Sequence, residues 1–515
     1  MPNIVKQYTK FIFPFQYDKS LVSPQTAQIE NKKGAKFNLF ERFSQKCELL
    51  RDGLDLLLSE NGGTSSIAEC YKMNINCRKN FLLPPKKNEM LDFVTRQSDG
   101  NALKVSITEL KLYFFESQTG FVEVECEFGT KTLEEYFDLN YFISEPKSDK
   151  NYFIFHEKIW NEEQRVNEKK DSKFSIAELL EKLLSSVSKE KDAIRFSYQK
   201  AKPIIYSYLL VDEKPEDIND LLQHLGKNYK ASYKFDDSCT NIKMLHPFEN
   251  SYWVSSLNGV VNLSYLTDDD VTNDFFGNSF YTKTKNTYYF LFLNILHQRY
   301  AISYIMGQMG HLDRLTNDYF VMEEELKLAR RYEAEALNLK FRAFFKCPSM
   351  VDHINNYYDM IYESFQVGAF YDNFSSDITN LQNICGKYVD RIQSRDEKLR
   401  NRKNAKIEIF ISIFGTLVAE VTLFNNSWSL IEKVLGRSVS FWSPVILILL
   451  GTLISPLITI VFNVSKKASE IKQLSSQINS EEKERLVEDD KKRRITARCL
   501  KKTAYNSNKN QKKTH

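Results

Sequence analysis

The segment Phe441–Val464, FWSPVILILLGTLISPLITIVFNV, decides the fold class. Its 24 residues carry no charged side chain, and as a helix they would extend about 36 Å. A helix needs about 20 mostly apolar residues to cross the hydrocarbon core of a bilayer. The segment is therefore predicted to be a transmembrane helix.

A second apolar run, Ile407–Phe424 (IEIFISIFGTLVAEVTLF), precedes this segment and is separated from it by a 16-residue connector. The run has 18 residues, or about 27 Å of helix, which is marginal for a span, and it contains Glu408 and Glu420. The short connector nevertheless favours a chain that crosses the bilayer and returns. Residues 407–464 are therefore predicted to form a transmembrane hairpin.

Basic residues flank both ends of the predicted hairpin. Five Lys and Arg residues lie between Lys398 and Lys406, and Lys466 and Lys467 follow the second run. The connector holds only one acidic and two basic residues. Because Lys- and Arg-rich flanks stay in the cytoplasm, both termini are predicted to be cytoplasmic. The expected location is the cell inner membrane, with a short external loop.

One side of the first predicted span is polar. Glu408, Ser412, Thr416 and Glu420 follow one another at intervals of four residues and therefore share a side of the helix. An ionisable group inside a membrane is costly unless it faces water or a partner. The pattern predicts a pore-lining helix, with the uncharged second span facing lipid. A plain membrane anchor and a helix-packing interface remain alternatives, since small and hydroxyl-bearing residues also serve helix–helix contacts.

The charge distribution separates a basic tail from a mildly acidic body. The chain has 71 Lys and Arg against 67 Asp and Glu, and ten of the basic residues lie in 491–515, which has no acidic residue. The body therefore carries 61 basic and 67 acidic side chains, which excludes a nucleic-acid binder with a wholly cationic surface. The tail, 465–515, is predicted to be cytoplasmic and to associate with anionic lipid, and no direct nucleic-acid partner is expected.

Residues 1–280 are predicted to form a cytoplasmic mixed α/β domain that acts as a sensor. Alternating or β-rich runs predict strands at Ala102–Phe115, Gly120–Phe128, Tyr152–His156, Pro203–Val211, Ala231–Phe235 and Val260–Tyr265. Helical periodicity predicts helices at Phe40–Leu58, Thr132–Phe142, Ser175–Val187 and Pro215–Leu225. The two kinds of element mix without a regular βαβ repeat.

The remaining chain up to the hairpin is predicted to be helical. Thr287–Leu296 is apolar enough for a third span, but His297 and its two polar neighbours fall inside the window that a span would need. A buried helix within a helical layer, 281–372, is expected instead, and Glu323–Phe345 is expected to be a second helix of that layer. A coiled-coil-like stripe then follows at 3-4-3-4 spacing, formed by Ile378, Leu381, Cys385, Tyr388 and Ile392. It predicts a stalk helix, 373–406, that continues into the first span and offers a surface for self-association.

No motif of a catalytic site is present in the sequence. It contains no GxxxxGK[ST], GxGxxG, HExxH or GxSxG pattern, no CxxC among its eight cysteines and no histidine pair at i+3 or i+4. His297 is expected to be a satisfied core histidine, and Asp268–Asp270 a solvated turn. The chain is therefore predicted not to be an enzyme and to need no catalytic cofactor.

The order of these parts resembles the CorA family of divalent-cation channels. In that family a cytoplasmic α/β domain, a helical layer and a long stalk helix lead into a pore-lining first span, and a short external loop and a second span follow. The resemblance implies an α+β membrane protein that assembles as a homo-oligomer, most simply a pentamer. The pore-lining residues would be Glu408, Ser412, Thr416 and Glu420, with Asn425 and Asn426 at the external mouth.

The Gly-Met-Asn signature that closes the first span of the family is missing, and Phe424-Asn425-Asn426-Ser427-Trp428 stands in its place. This difference argues against magnesium selectivity. CorA-like proteins without the signature resemble the membrane effectors encoded beside type III CRISPR systems, in which a nucleotide second messenger acts on the soluble domain. The resemblance implies a ligand-gated membrane effector of antiviral defence, with that nucleotide and a divalent cation such as Mg²⁺ as the candidate ligands.

Two alternatives stay open. One is a divalent-cation transporter of the magnesium type, against which the missing signature counts. The other is a non-conducting, membrane-anchored scaffold. No residue of the sequence identifies a nucleotide site or a metal site.

Overall fold

The structure, a computed structural model, describes residues 2–435 apart from 31–35, 45–46, 52–53, 55–66, 96–101, 146–150, 162–165, 191–192, 197–201, 235–241 and 310–318. The chain divides into two compact units, Met1–Asp390 and Arg391–His515. The predicted second span, Phe441–Val464, and the basic tail lie outside the described residues. In the described part the chain is a mixed α/β protein with one large sheet, as the sequence predicts.

The first unit contains one large sheet. The strands in the described part of the chain are β1 (Ile4–Tyr17), β2 (Gln28–Glu30), β3 (Lys36–Asn38), β4 (Phe40–Arg42), β5 (Ala68–Met73), β6 (Leu91–Val94), β7 (Leu103–Phe115), β8 (Thr119–Phe128), β9 (Tyr152–Asn161), β10 (Val166–Phe174), β11 (Ile194–Phe196), β12 (Ile204–Val211), β13 (Lys243–Phe248), β14 (Ser251–Ser256) and β15 (Gly259–Tyr265). Thirteen of them form the sheet, in the order β10-β9-β6-β7-β8-β1-β12-β15-β14-β13, with β11 beside β1 and the pair β4–β5 beside β7. The strands β12 and β15 run parallel, and β2 pairs with β3 outside the sheet.

Helices cover both faces of the sheet. They are α1 (Leu133–Ile143), α2 (Ile176–Ser185), α3 (Ile218–Lys227), α4 (Asp270–Asp274), α5 (Tyr281–Lys283), α6 (Tyr289–Met309), α7 (Tyr319–Ala343), α8 (Asp352–Ser364) and α9 (Val367–Leu435), with π-helical segments at Phe275–Phe280 and Thr284–Tyr288. The core on the first face includes side chains of α1, α2 and α3. The core on the second face includes side chains of the π-helical segments, α6 and α8.

The central strand β1 contributes to both cores. Phe11, Phe13 and Phe15 belong to the first core, whereas Tyr8 and Ile12 belong to the second. This division follows from the alternation of side chains along a strand. β1 therefore joins the two helical layers through a single stretch of backbone.

Pro14 interrupts the pattern that would have predicted β1, because proline cannot donate to a sheet ladder. The structure accommodates it at the point where β1 changes partner. The last pair with β12 is Ile12–Ile204, and the first pair with β11 is Phe15–Phe196. Pro14 thus lies between two partner strands on that side of β1.

Five charged side chains of the sheet meet Lys285 of the second π-helical segment on the second face of the sheet. We call the six the buried ion network: Lys10, Glu109, Lys111, Glu123, Glu125 and Lys285. Strand register places Lys10 opposite Glu125 on β8, and Lys111 opposite Glu123. The network contains three lysines and three glutamates, and Glu109 also forms an ion pair with Lys87.

Glu123 lies at the centre of the network and is fully buried. Its Oε1 is 3.0 Å from Lys10 Nζ and 3.3 Å from Lys111 Nζ. The hydroxyls of Tyr113 and Tyr289 each donate to Oε2 at 2.7 Å. Burial alone would raise the pKa of Glu123, but Lys10 and Lys111 hold the pKa below its ordinary value. Glu123 is therefore a carboxylate with four donors.

Side chains of the sheet also bind the π-helical segments. Lys285 Nζ donates to Glu125 Oε1 at 2.8 Å. The hydroxyl of Tyr206 donates to the carbonyl of Thr284 at 2.7 Å, and the hydroxyl of Tyr208 donates to the carbonyl of Phe276 at 2.8 Å. A π-helix leaves backbone groups poorly paired at its irregular turns, and here hydroxyls of β12 satisfy two of them.

The apolar run Thr287–Leu296 is buried, as expected for a helix of the layer. It spans the end of the second π-helical segment and the start of α6, and Phe290, Leu291 and Phe292 are at most 1% exposed. Three alanines of α7 form a buried seam: Ala329, Ala336 and Ala343 are at most 1% exposed. Small residues at these positions allow the backbone of α7 to come close to its neighbours.

Two elements predicted from the sequence are wrong. The helix expected over Phe40–Leu58 is replaced in the described residues by β4 and irregular chain, and Leu49 has a positive φ. Its apolar residues are divided between the two cores, Phe40 in the first and Leu54 in the second, so they cannot form one helix face. The strand expected at Ala231–Phe235 is a turn in its described part, where Tyr233 contacts the ring of Tyr141.

Helix α9 is continuous over 69 residues, a length of about 100 Å. The predicted stalk, 373–406, and the predicted first span belong to this one helix. Its beginning packs in the first unit, where Phe374 and Ile378 contact α6 and α7 and Gln382 Nε2 donates to Glu333 Oε1 at 2.9 Å. Its described part reaches Leu435, past Phe424, the last residue of the predicted first span.

The predicted stripe of α9 is partly used inside the chain. Leu381, Cys385 and Tyr388 are buried, and the Tyr388 hydroxyl donates to Glu325 of α7. Three positions of the stripe are thus buried within the chain, and self-association through the stripe stays a prediction.

Loss of Lys10 should destabilise the first unit strongly. Lys10→Met leaves buried Glu123 without its closest cation and Glu125 with Lys285 as its remaining ion-pair partner in the network. Removing one partner of a buried ion pair costs about 3–5 kcal/mol of unfolding free energy. The matched control is Lys243→Met, whose ion pair with Glu363 is more than half exposed and contributes about 1 kcal/mol or less. Urea unfolding followed by tryptophan fluorescence measures both. Equal losses of unfolding free energy in Lys10→Met and Lys243→Met would contradict the central role of the buried ion network.

Candidate functional site

A cleft of about 400 Å³, partly open to solvent, lies in the first unit between the β7–β8 turn and helices α6 and α7. Its polar lining consists of Glu116, Ser117, His297, Glu335, Asn338 and Arg342. Apolar side chains, among them Leu339, complete the wall. The cleft combines buried hydrogen-bonding atoms with charged groups at its rim.

Each element presents its residues to the cleft for a local reason. Glu335, Asn338 and Arg342 recur at intervals of three and four, so one side of α7 faces the cleft. Ala336 and Ala343, on the adjoining side of α7, are buried in the helical core. Because this seam fixes the rotation of α7, the three polar side chains are held against the end of the sheet.

His297 forms the floor of the cleft and is 3% exposed. Its Nε2 lies 2.9 Å from Ser117 Oγ, and its ring stacks on Phe115 with 4.0 Å between centroids. Burial lowers the pKa of His297 to about 3, so the ring is neutral near neutral pH. Its Nδ1 has no hydrogen-bond partner among the described residues. The expected satisfied core histidine is thus satisfied at one ring nitrogen.

The two carboxylates of the cleft differ in their surroundings. Glu116 Oε2 lies 2.5 Å from a guanidinium nitrogen of Arg342. Glu335 Oε1 accepts a hydrogen bond from Arg331 Nε at 2.9 Å, while its Oε2 is buried and has no partner in the described part of the chain. The cleft therefore contains a second unpaired oxygen or nitrogen atom besides His297 Nδ1.

This arrangement is suited to binding a ligand. Ser117 and His297 are within hydrogen-bond distance, but no described carboxylate contacts Nδ1, so the site lacks the third member of a Ser-His-acid triad. No pattern in the sequence predicts the site, since its residues come from three separate segments. That the chain is not an enzyme stays a prediction.

A second histidine joins three strands at one end of the sheet order. His156 of β9 lies directly across from Asp171 of β10, with its Nδ1 2.6 Å from Asp171 Oδ1. Its Nε2 is 3.0 Å from Asp92 Oδ2 of β6. The hydrogen bonds with Asp92 and Asp171 raise the pKa of His156. The group is partly exposed and forms a pH-dependent ion pair between strands.

No cluster of three or more His, Cys, Asp or Glu residues suitable for a metal ion occurs among the described residues. Asp268–Asp270 form an exposed turn, as predicted from the sequence. The side chain of Asp269 caps α4 by accepting from the backbone N–H groups of Val271 and Thr272. These carboxylates thus have a structural role.

The predicted pore-lining residues all lie on α9. Glu408 and Ser412 are exposed in the isolated chain, and the Thr416 hydroxyl donates to the Ser412 carbonyl at 2.8 Å. The backbone at Glu420, Asn425 and Asn426 is helical, and the side chains of these three residues lie outside the described part of the structure. Their common helix keeps the four-residue spacing of the predicted polar side.

Large apolar side chains of the same segment are also exposed. Ile407, Phe410, Ile411 and Phe414 have between 55% and 69% of their surface exposed. Within the part of the chain that the structure describes, no helix is both long and apolar enough to cross a membrane.

Comparison with known proteins identifies no family for this chain and one distant structural likeness. No model of a known protein family matches the chain, and no curated protein matches it significantly. Among solved structures, the chain is similar to that of the full-length CmaX protein, at 15% identity over 50% of this chain and 88% of that chain, with a TM-score of 0.18. A likeness at this level carries no argument about fold or function.

The ion pairs of His156 should make stability depend on pH. Because the pKa of His156 is raised above its ordinary value of about 6.5, the folded chain binds this proton more tightly than the unfolded chain. The stabilisation is fully present below about pH 6.5 and is lost as the pH rises through the raised pKa. His156→Gln should cost about 1 kcal/mol or less at pH 5.5, since the group is partly exposed.

Urea unfolding of both proteins at pH 5.5 and pH 9 measures this dependence. The difference in unfolding free energy between the parent and His156→Gln should shrink toward zero at pH 9. A double-mutant cycle with Asp171→Asn isolates the pair, and a coupling free energy that does not change with pH would contradict the assignment.

Proposed function

We propose that the chain is a CorA-like, oligomeric membrane pore that opens in response to a ligand. The observation that carries the proposal is the exposure of Ile407, Phe410, Ile411 and Phe414 on a helix whose first residues are part of the packed first unit. Contiguous large apolar side chains on a helix mark a surface that contacts lipid or another protein. The uncharged run Phe441–Val464, which follows α9 in the sequence, supports lipid as one of the surroundings of these apolar side chains.

The polar side of α9 supports a conducting role. Glu408, Ser412, Thr416 and Glu420 follow one another on a continuous helix. In a symmetric homo-oligomer these positions repeat around the axis, and rings of carboxylates favour cations. Asn425 and Asn426 would lie at the external mouth, on helical backbone that continues to Leu435.

The large first unit supports a sensing role. It has a cleft with unpaired buried polar atoms and no Ser-His-acid triad in its described residues. Together with the order of parts, this favours a membrane effector of antiviral defence of the type III CRISPR kind, activated by a nucleotide second messenger. The replacement of the Gly-Met-Asn signature by Asn425-Asn426-Ser427 disfavours a magnesium transporter.

The proposal includes an inner-membrane location with both termini in the cytoplasm. The support is the distribution of Lys and Arg around the two apolar runs. The ten basic residues of 491–515 would then face the anionic cytoplasmic leaflet, where each contributes about 1 kcal/mol of attraction.

Glu420→Lys should abolish most of the cation flux through the pore. A positive charge near the axis raises the barrier for cations, and a tenfold loss of flux corresponds to about 1.4 kcal/mol. The measurement is cation release from liposomes that contain the purified full-length chain, activated by extract from cells in which the defence system is induced. The control is Leu449→Ile on the predicted lipid-facing span, which should conduct like the parent.

The mass of the particles in detergent should be that of one homo-oligomer for all three proteins. A parent protein that is only monomeric would contradict the pore. If the Glu420→Lys protein assembles and conducts cations like the parent, the hairpin is only an anchor, and the result favours the alternative of a membrane-anchored scaffold.

Deletion of 491–515 should weaken the association with anionic lipid. The deletion removes ten cationic side chains that attract an anionic surface. The measurement is the ratio of phosphatidylserine to phosphatidylcholine retained by the purified chain, which should fall while the oligomer persists. Loss of the oligomer would instead give the tail a structural role.

A further inference from the structure

We propose that α7 is a displaceable cover on the stripe of α9, and that its displacement extends the contact between two copies of the chain along that stripe. The inference rests on the homo-oligomer proposed above, and it adds a place at which each chain restrains its own assembly. Three features carry it: the position of α7 on α9, the spacing of the stripe and the side chains with which α7 meets it.

The first feature is the position of α7. Gln382 Nε2 donates to Glu333 Oε1 at 2.9 Å, and the hydroxyl of the fully buried Tyr388 donates to Glu325. Because the residue numbers rise along α9 while they fall along α7, the two helices run antiparallel there. Cys385 lies between the two contacts, where burial, followed by the nearby Glu333 carboxylate, raises the pKa of its thiol. α7 thus lies against the first part of the stripe.

The second feature is the spacing of the stripe. Beyond Tyr388 the alternation of three and four residues continues through Ile392 to Leu399, with Arg395 at the intermediate position. Ile392 is half-buried, and Leu399 is 47% exposed. Apolar residues at this spacing form the seam between the helices of a coiled coil. A seam that continues onto an exposed part of its helix favours a partner besides α7, and the α9 of a second copy carries the matching seam.

The third feature is the kind of side chain that α7 presents. Glu325, Ala329 and Glu333 follow one another at intervals of four residues and therefore share a side of α7. This side offers two carboxylates and one methyl group to the stripe. A second α9 would offer Leu381 and Tyr388 instead. Because association becomes more favourable as more apolar surface is buried, the stripe of a second copy is the better partner once α7 has moved away.

The polar contacts between the two helices are of a kind that water can replace. Gln382 is exposed, and Glu325 and Glu333 are partly exposed. Water therefore takes the place of the lost partners and lowers the cost of the displacement. The apolar cluster that joins α7 to α6 contains Ala336 and Ala343, in the later half of α7. The earlier half can thus leave the stripe while the later half stays packed.

The native thiol of Cys385 reports the contact between copies. In two parallel helices that share this seam, Cys385 of one copy lies beside Cys385 of the other. The probe is the thiol crosslinker bismaleimidoethane, added to the full-length chain in detergent. Glu325→Ala removes the acceptor of the Tyr388 hydroxyl and should raise the rate of crosslinked dimer formation about tenfold, the effect of one hydrogen bond to a charged group. The matched control, Glu324→Ala, removes the same charge from the exposed neighbouring position and should react like the parent.

Two further variants make the result specific. Cys385→Ser should abolish the product in each background, and Tyr388→Phe, which removes the same hydrogen bond from the side of α9, should react like Glu325→Ala and decides the test if that variant unfolds. A Cys385-dependent product that forms equally fast in Glu324→Ala and Glu325→Ala would overturn the proposal, as would its absence from every variant. If the particles in detergent are oligomeric in this last case, the assembly stands and only the cover fails. Monomeric particles in every variant would contradict both.

Discussion

The charge balance beneath the helical layer is the constraint on which the first unit depends. Burying a carboxylate costs several kcal/mol unless cations and donors surround it, and Glu123 is fully buried. Its compensation comes from three directions: lysines of β1 and β7, a tyrosine of β7 and Tyr289 of α6. These groups meet only when the sheet has its observed register and α6 lies across it. The network therefore favours one packing of helices on sheet over others that would bury equal apolar area.

The sequence predicted strands and helices that have an uninterrupted pattern of apolar residues. The strand β12 was predicted from Pro203–Val211, and α2 from Ser175–Val187, because each has an uninterrupted pattern. The strand β1 was missed, since Pro14 and the lysines within it do not resemble a central strand. Lys10 is understandable only through Glu123 and Glu125, more than 110 positions away. Long-range charge pairing of this kind leaves no local pattern.

The cleft at His297 could not be predicted from the sequence for a related reason. Its residues come from the β7–β8 turn, α6 and α7. The cleft is distinguished by two buried atoms, His297 Nδ1 and Glu335 Oε2, that have no hydrogen-bond partner within the described residues. A sequence lists which groups are present and not which remain unpaired after folding. The predicted polar side of α9 is different, because four-residue spacing on a single helix is a local property. Glu408, Ser412 and Thr416 indeed share that helix.

The packing of α9 limits how the chain can associate with copies of itself. Leu381 is buried and the Tyr388 hydroxyl donates to Glu325 of α7, so a helix that turned its stripe outward would expose both side chains and break this hydrogen bond. In the homo-oligomer that we propose, an interface along α9 would use positions after Tyr388, where Arg395 and Leu399 continue the spacing of the stripe. Ile392 is half-buried and Leu399 is 47% exposed, with Arg395 between them at a seam position. A charged seam residue lowers the stability of a coiled coil while restricting its register. Such a stalk would align the helices of neighbouring copies more than it would strengthen their association. Most of the association free energy would then have to come from the apolar segment that begins at Ile407.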